Sequence, residues 1–411
     1  MMRLLSADAF DPARYRLTRL RVVAICAILL ATAISVAVAQ FSSARDLILP
    51  AGAPVGGDYV AFHVAAHESA NGRAAALYDA ASFEAKLKEL GPPKERYGLT
   101  WQYPPTYFFV IAPLALFAFI PGYVLWTGIG AAAFFASLRA IGLGGVILFV
   151  ILAAPSTFHA VITGQNGFLT AALLAIAAFL PDKRPIAAGL AAALLTVKPQ
   201  LGILIPIAYL AGGCWRAFFV AAAGAIALGA ASLAVFGIDA WAAFFDAARG
   251  AAGNVASGAM PLYKMATPYA AARLAGFAPE WAGVVQAIFI LAAVAVVAIV
   301  WRRVKDADLR AAVLCAGVFL AAPYAYYYEF VILALPAAII AKRAMESGWL
   351  RYEQIFLALI FIVPLALPGE AKRAGFSIGF VLVLIVAGCV LRRVLSESLG
   401  VRRQVSGAAD A

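Results

Sequence analysis

The sequence is poor in charge, cysteine and histidine, and each shortage closes off a class of function. Asp, Glu, Lys and Arg make up 13% of the 411 residues, against about 25% in a soluble domain. Hydrophobic residues fill 64%, so a water-soluble or disordered chain is excluded and the composition is that of a polytopic membrane protein. The four cysteines (Cys26, Cys214, Cys315, Cys389) lie in apolar stretches without metal-ligand spacing. They read as small buried hydrophobes rather than a disulfide scaffold. There is no HExxH, no paired CxxC and no phosphate-binding glycine loop. The net charge of +11 comes from short basic clusters between apolar runs. Such clusters set membrane topology and do not form a nucleic-acid-binding face.

What is present is a series of apolar runs: 22–39, 104–120, 122–138, 143–163, 165–180, 186–212, 217–236, 281–300, 309–322, 326–341, 352–367 and 375–391. Spans need about 20 residues, so the reading is an all-α polytopic protein of about twelve transmembrane helices, residues 1–411 forming one integral membrane domain. Arg14, Arg16, Arg19 and Arg21 precede the first run, which places the N-terminus in the cytoplasm. Twelve spans then put Arg216, Arg302-Arg303-Lys305, Lys342-Arg343 and Arg392-Arg393 inside. Residues 41–103, 237–280 and the stretch around Pro323 face the periplasm of a cell inner membrane. Asp182-Lys183-Arg184 is left outside by that count, unless 186–212 is two half-spans meeting at Lys198-Pro199. In the first outer loop, Tyr59 to Asn71 and Ala80 to Leu90 read as short amphipathic helices, the second broken by Gly91-Pro92-Pro93.

Polar residues stand at the outer ends of these runs. Asp58, in Gly56-Gly57-Asp58-Tyr59, is either a helix N-cap or a general base reached by a hydroxyl group. His63 and His67 share a helix face; the spacing suits a metal pair, but no third ligand is evident, and pocket lining or a plain interfacial helix is the alternative. Tyr103, in Trp101-Gln102-Tyr103-Pro104-Pro105, belongs to an aromatic belt or stacks on a sugar. Gln165 and Asn166, bounded by glycines, are amides that membrane surroundings make expensive unless hydrogen-bonded. Lys198, followed by Pro199 and Gln200, sits in the middle of a 27-residue apolar segment. It either snorkels from a half-helix end or meets an anionic headgroup such as a lipid phosphate. Tyr326, Tyr327, Tyr328 and Glu329 exceed what an aromatic belt needs and can bind a polar substrate.

Taken in order, Gly-Asp-Tyr, Gly-x4-Leu-Tyr-Asp, Tyr-Pro-Pro, Gly-Gln-Asn, Lys-Pro-Gln and Pro-x2-Tyr-Tyr resemble glycosyltransferase family 87. These are GT-C-fold membrane enzymes related to polyprenyl-phosphate-mannose-dependent alpha-mannosyltransferases. The resemblance runs from Asp58 to Glu329, about two-thirds of the chain. It implies that Asp58 is the catalytic base, that Lys198 is the lysine of the family's Lys-Pro motif, and that Gln165 and Asn166 are its Gly-Gln-Asn pair. The reading of the residues themselves adds Tyr59, His63, His67, Tyr103, Gln200, Tyr326, Tyr327 and Glu329 as candidate lining of the substrate site. Relatives often carry a histidine near a serine-proline at the late motif, where this chain has tyrosines, so a histidine role in phosphate binding does not carry over. The implied partners are a polyprenyl-phosphate sugar donor, a lipid or glycan acceptor and membrane lipids, with no cofactor, no metal and no nucleic acid. A lipid or glycan transporter or flippase is the competing reading, since broken helices and a buried lysine suit it too. The absence of an inverted repeat and the gathering of polar residues at one face count against it. Glycan polymerases and ligases are a third class with large outer loops.

Overall fold

The structure, a computed structural model, describes residues 19–258, 260–365 and 376–409. Arg14, Arg16 and the facing ends of the runs at 352–367 and 375–391 lie outside them. The described residues are helical, with isolated β-bridges and no strand. The chain begins with α1 (Arg19–Ser42) and passes into a lobe holding α2 (Tyr59–Ala70) and α3 (Ala80–Leu90). Asp79 caps α3 by accepting from the Ser82 amide at 2.8 Å, a cap of the usual kind. α3 buries one face, but α2 is buried on nearly every side, from Tyr59 to Ser69, so it is a core helix of the lobe and not an amphipathic one.

The apolar run at 104–120 does not form one long helix. It breaks into the 3₁₀ turn Pro105–Tyr107, the single-turn α4 (Phe108–Ile111) and the 3₁₀ stretch Ala112–Leu116. Pro105 and Pro113 explain this, because each lacks the amide that an α-helical ladder needs. These pieces complete the lobe, whose core is aromatic: Trp101 stacks on Phe108 at 5.6 Å, and Tyr103 on Tyr107 at 4.4 Å.

α5 (Phe119–Ala140) leaves the lobe; α6 (Val146–Ala153) and α7 (Pro155–Thr163) return to it, bent by 50°. α8 (Gly167–Phe179) runs away again and is buried along almost its whole length. The run at 186–212 is split: α9 (Pro185–Leu194) and a 3₁₀ turn lead to Lys198, and α10 (Pro199–Gly202) and α11 (Ile205–Gly212) lead back. The hydroxyl of Tyr209 on α11 donates to the carbonyl of Ala177 at 2.8 Å and to that of Ala188 at 3.2 Å, which lays α11 beside both α8 and α9. α12 (Trp215–Ser257) kinks at Gly237, so the stretch from 237, expected as loop, is helical as far as Ser257. Gly189 and Gly224 let α9 and α12 touch; a methyl at either would come within 2.8 Å of the other helix, the close packing that small residues permit in lipid.

α13 (Pro268–Leu274) and α14 (Pro279–Arg303) follow, then the buried α15 (Ala307–Ala321), α16 (Ala334–Ser347), α17 (Glu353–Ile362) and α18 (Ile378–Ala409). Among the described residues, five helices are long and apolar enough to cross a membrane, and the bent α6–α7 pair makes a sixth. Their outward faces carry Ile28, Ile129, Phe219, Ile226 and Leu291 fully in the open, a surface that hydrocarbon suits and water does not. Asp182, the residue the charge count left on the wrong side, pairs with Arg310 at the base of α15. Asp306 and Asp308, on that same base, hold Arg343 and Lys342. The broken run at 104–120 is the reason: with one pass fewer before it, α8 ends at this basic end, and the break at Lys198 adds the pass that brings Arg216 back there too.

Candidate active site

At the opposite end from those ion pairs, five separated segments meet. The Asp58 amide donates to the Thr163 carbonyl at 2.9 Å, which ties the start of α2 to the end of α7. The approach depends on glycine. Gly164 has φ +57, and a methyl there would lie 2.4 Å from the Gly56 carbonyl and 2.7 Å from Cβ of Tyr59. A methyl on Gly167 would lie 2.4 Å from the Tyr328 carbonyl. The glycines around Gln165 and Asn166 are therefore what lets the 56–59 and 326–329 segments close on the two amides from either side.

Asp58 precedes α2, but its carboxylate does not cap it. Instead Gln165 Nε2 donates to Asp58 Oδ2 at 2.7 Å, and Tyr103 Oη donates to Gln165 Oε1 at 3.3 Å. Asn166 Nδ2 donates to Tyr107 Oη at 3.1 Å, and Lys198 Nζ donates to Asn166 Oδ1 at 3.0 Å. Lys198 Nζ also lies 2.6 Å from Glu329 Oε1, a charge contact rather than an aligned hydrogen bond. Glu329 Oε2 accepts from the Tyr326 amide at 2.9 Å. The ammonium is covered by the rings of Tyr328 at 5.0 Å and Tyr103 at 5.8 Å. One polar chain thus links Asp58, Gln165, Asn166, Lys198 and Glu329.

The electrostatics sort these groups. Lys198 and Glu329 are both almost fully buried, and burying one such charge alone would be costly. In this structure the anionic group beside Lys198 is Glu329. Asp58 is only half-buried, and among the described residues no cation sits at ion-pair distance. Burial raises its pKa above the ordinary carboxylate value, opposed by the Gln165 hydrogen bond and then by Lys264, Lys198 and Lys94. Burial, then Glu329 and Asp58, push the Tyr103 phenol well up, so it stays a neutral donor.

Several expected lining residues lie elsewhere. Tyr59 is fully buried against Phe119 and Tyr123. His63 packs on Phe119 and lies 4.6 Å from His67, ring to ring; burial and then His67 lower its pKa to about 4. On the helix face they share, His63 is turned to Phe119 at the start of α5. Among the described residues, no three His, Cys, Asp or Glu come together as a metal site would require. Tyr327 packs on Phe330, because alternation along 324–329 buries 325, 327 and 329 and leaves 324, 326 and 328 half-open. Gln200, in the first turn of α10, is half-buried, and its side chain makes no hydrogen bond among the described residues. Conversely, Tyr107, His159 and Lys264 belong to the neighbourhood without being marked by any motif in the sequence, and Tyr328, one of the tyrosines of the late motif, covers Lys198. Tyr107 was legible as the partner four residues after Tyr103; nothing marks Lys264 among the surface lysines of the sequence.

The model of glycosyltransferase family 87 matches residues 101–323, more than half the chain and most of the segments that build this site. The chain belongs to glycosyltransferase family 87. No curated protein and no solved structure matches it. Membership makes it a membrane glycosyltransferase, with a sugar donor and an acceptor to accommodate, and removes the ground for the transporter reading.

Proposed function

We propose that this family 87 glycosyltransferase moves a mannose-like hexose from a polyprenyl-phosphate donor to a hydroxyl of a lipid or glycan acceptor, with inversion, at the periplasmic face of the inner membrane. The observation that carries the reading is Asp58: a half-open carboxylate with no capping role and, among the described residues, no ion pair, aimed by Gln165. Such a group can take a proton from an attacking hydroxyl, as a raised pKa favours. The acceptor oxygen bonds to the anomeric carbon as the bond to the donor phosphate breaks on the opposite side. The proton passes to Asp58 and the electron pair leaves with the phosphate. Gln165 and Tyr103 hold the base in register, and the Lys198–Glu329 pair holds Asn166 and the tyrosine segment.

Helix lengths support the placement. α8 has 13 residues and α15 has 15, so they rise about 20 and 22 Å, short of the roughly 30 Å of a hydrocarbon core. The site then lies some 10 Å below the far surface, within reach of a lipid-borne phosphate. With 104–120 withdrawn as a span and 186–212 counted as two, twelve passes remain. They leave the basic clusters in the cytoplasm and the lobe of α2 and α3 outside.

The test is sugar transfer by the purified full-length protein in liposomes, with radiolabelled polyprenyl-phosphate hexoses and a membrane extract as acceptor source. Transfer with inverted anomeric configuration is expected, greatest with the mannosyl donor. Transfer from a nucleotide sugar alone overturns the donor assignment, and retention of configuration overturns the single-displacement mechanism.

A further inference from the structure

The reaction just described needs a cation that the polar chain does not supply. A sugar on a polyprenyl phosphate is a phosphodiester with one negative charge. When its bond to the anomeric carbon breaks, the electron pair stays on phosphate oxygen and the product is a monoester approaching a dianion. Lys198, the cation nearest the centre of the chain, is spent: Glu329 neutralises it, Asn166 holds it, and Tyr103 and Tyr328 cover it. Its charge is already balanced, and its burial under the two rings sets it back from the half-open carboxylate of Asp58. With that pair neutral, the charge facing the opening is the carboxylate of Asp58, which repels an anion.

Lys264 is placed differently. It ends the short 3₁₀ turn Leu262–Lys264, and its side chain is exposed. The turn itself is fixed. Met265 is fully buried, its carbonyl accepts from the Ser377 hydroxyl at 2.9 Å, and it forms an antiparallel bridge with Tyr326. The Ala266 amide donates to the Ala325 carbonyl at 2.8 Å. Lys264 is thus an exposed head on a fixed mount, its ammonium 6.0 Å from the Tyr263 ring centre, beside the half-open tyrosines that precede Glu329. Its field reaches both Asp58 and His159 and acts on Asp58 more strongly than that of Lys198 does.

We propose that Lys264, not Lys198, is the cation that meets the phosphate of the lipid-linked donor and offsets the charge it gains as the sugar departs. Lys198 is then a positioning residue that acts through Asn166 and Gln165. This rests on the donor class proposed above. A cation on the leaving oxygen stabilises the transition state more than the ground state, because the charge is still developing. Loss of Lys264 therefore lowers kcat more than it raises KM for the donor.

The experiment compares Lys264→Met, Lys264→Arg and Lys94→Met with wild type, as full-length proteins in liposomes. Lys94 is the other rim lysine whose field reaches Asp58, and it controls for a general loss of positive charge. Two readouts are used: steady-state transfer from the polyprenyl-phosphate sugar, and binding of a prenyl monophosphate measured separately by titration. Lys264→Met should lose at least ~10-fold in kcat, below the ~10²–10³ seen for buried oxyanion donors. It should lose more affinity for the monophosphate than for the donor. Lys264→Arg should restore most of both, and Lys94→Met should change neither greatly. Wild-type kcat and monophosphate affinity in Lys264→Met overturn the inference alone, and so does an equal loss in Lys94→Met. A wild-type protein that turns over no polyprenyl-phosphate sugar overturns the donor class, and this inference with it.

Discussion

At the basic end of the bundle, Arg310, Lys342, Arg343 and Arg393 each face a carboxylate, from Asp182, Asp308, Asp306 and Glu353. At the other end, Lys198 and Glu329 are paired in the same manner, about as deeply as Arg393 and Glu353, whereas Asp58 has an amide as its partner and, among the described residues, no cation in contact. The contrast separates two uses of charge. A matched pair between helix ends ties those ends together and has nothing left to offer a substrate. A carboxylate held only by a neutral donor keeps its basicity, and keeping it carries a cost that the surrounding structure bears. The glycines of the site end belong to the same division of labour, since they bring backbone close enough for one amide pair, Gln165 and Asn166, to serve both the reactive group and the structural pair.

The strongest way to break the comparison is to unbalance the buried pair. Lys198→Met leaves Glu329 buried and uncompensated, which typically costs about 3–5 kcal/mol. We expect a large fall in thermal stability in detergent and a loss of monodisperse protein. Lys198→Met/Glu329→Leu removes both charges and should recover much of that loss, as replacement of a buried pair by apolar groups often does. A stable single variant would show that Glu329 is balanced by something other than Lys198.

Next in size is Asp58→Asn. Asn caps a helix about as well as Asp but accepts a proton far less readily, so turnover should fall at least ~10²-fold with thermal stability near wild type. Retained turnover would return Asp58 to a structural role and erase the distinction between the two ends.

How much of this was legible differs by level. The short helices of the lobe were readable almost to the residue, because their breakers, Gly72 and Gly91-Pro92-Pro93, are local. Asp58, Gln165, Asn166, Lys198 and Glu329 were each visible as polar residues, Asp58 and Glu329 at the outer surface and the other three where lipid makes polarity expensive. That they form one chain was not visible, because the Lys198–Glu329 contact spans 131 positions and no local rule couples them. The spacing of His63 and His67 showed that they share a face but not that the face is turned to Phe119. Hydrophobic run length could not distinguish the broken 104–120 stretch from a span, since lobe core and lipid surface are equally apolar. The prolines at 105 and 113 held that information. Lys264 was illegible for the opposite reason: an exposed lysine is ordinary, and its mount exists only once Met265 meets Tyr326.

Gln165 offers the smallest effect and the finest distinction. Its hydrogen bond favours the ionised form of Asp58, whereas burial favours the neutral one. A base works only when deprotonated, so the acid limb of the rate profile should rise through the pKa of Asp58, above the ordinary carboxylate value near 4. Gln165→Leu removes a contribution that lowers this pKa. The carboxylate then holds its proton to higher pH, and the acid limb must move upward. Turnover at the plateau should fall about tenfold, the order expected for a hydrogen bond to a charged group, worth about 1.5–3 kcal/mol, when part of its work is orientation. A residue that served packing alone would lower the plateau and leave the limb where it was. The informative measurement is therefore kcat/KM against pH for wild type and Gln165→Leu side by side. A limb that stays in place, or moves toward acid, would mean that Gln165 does not support the charged form of Asp58.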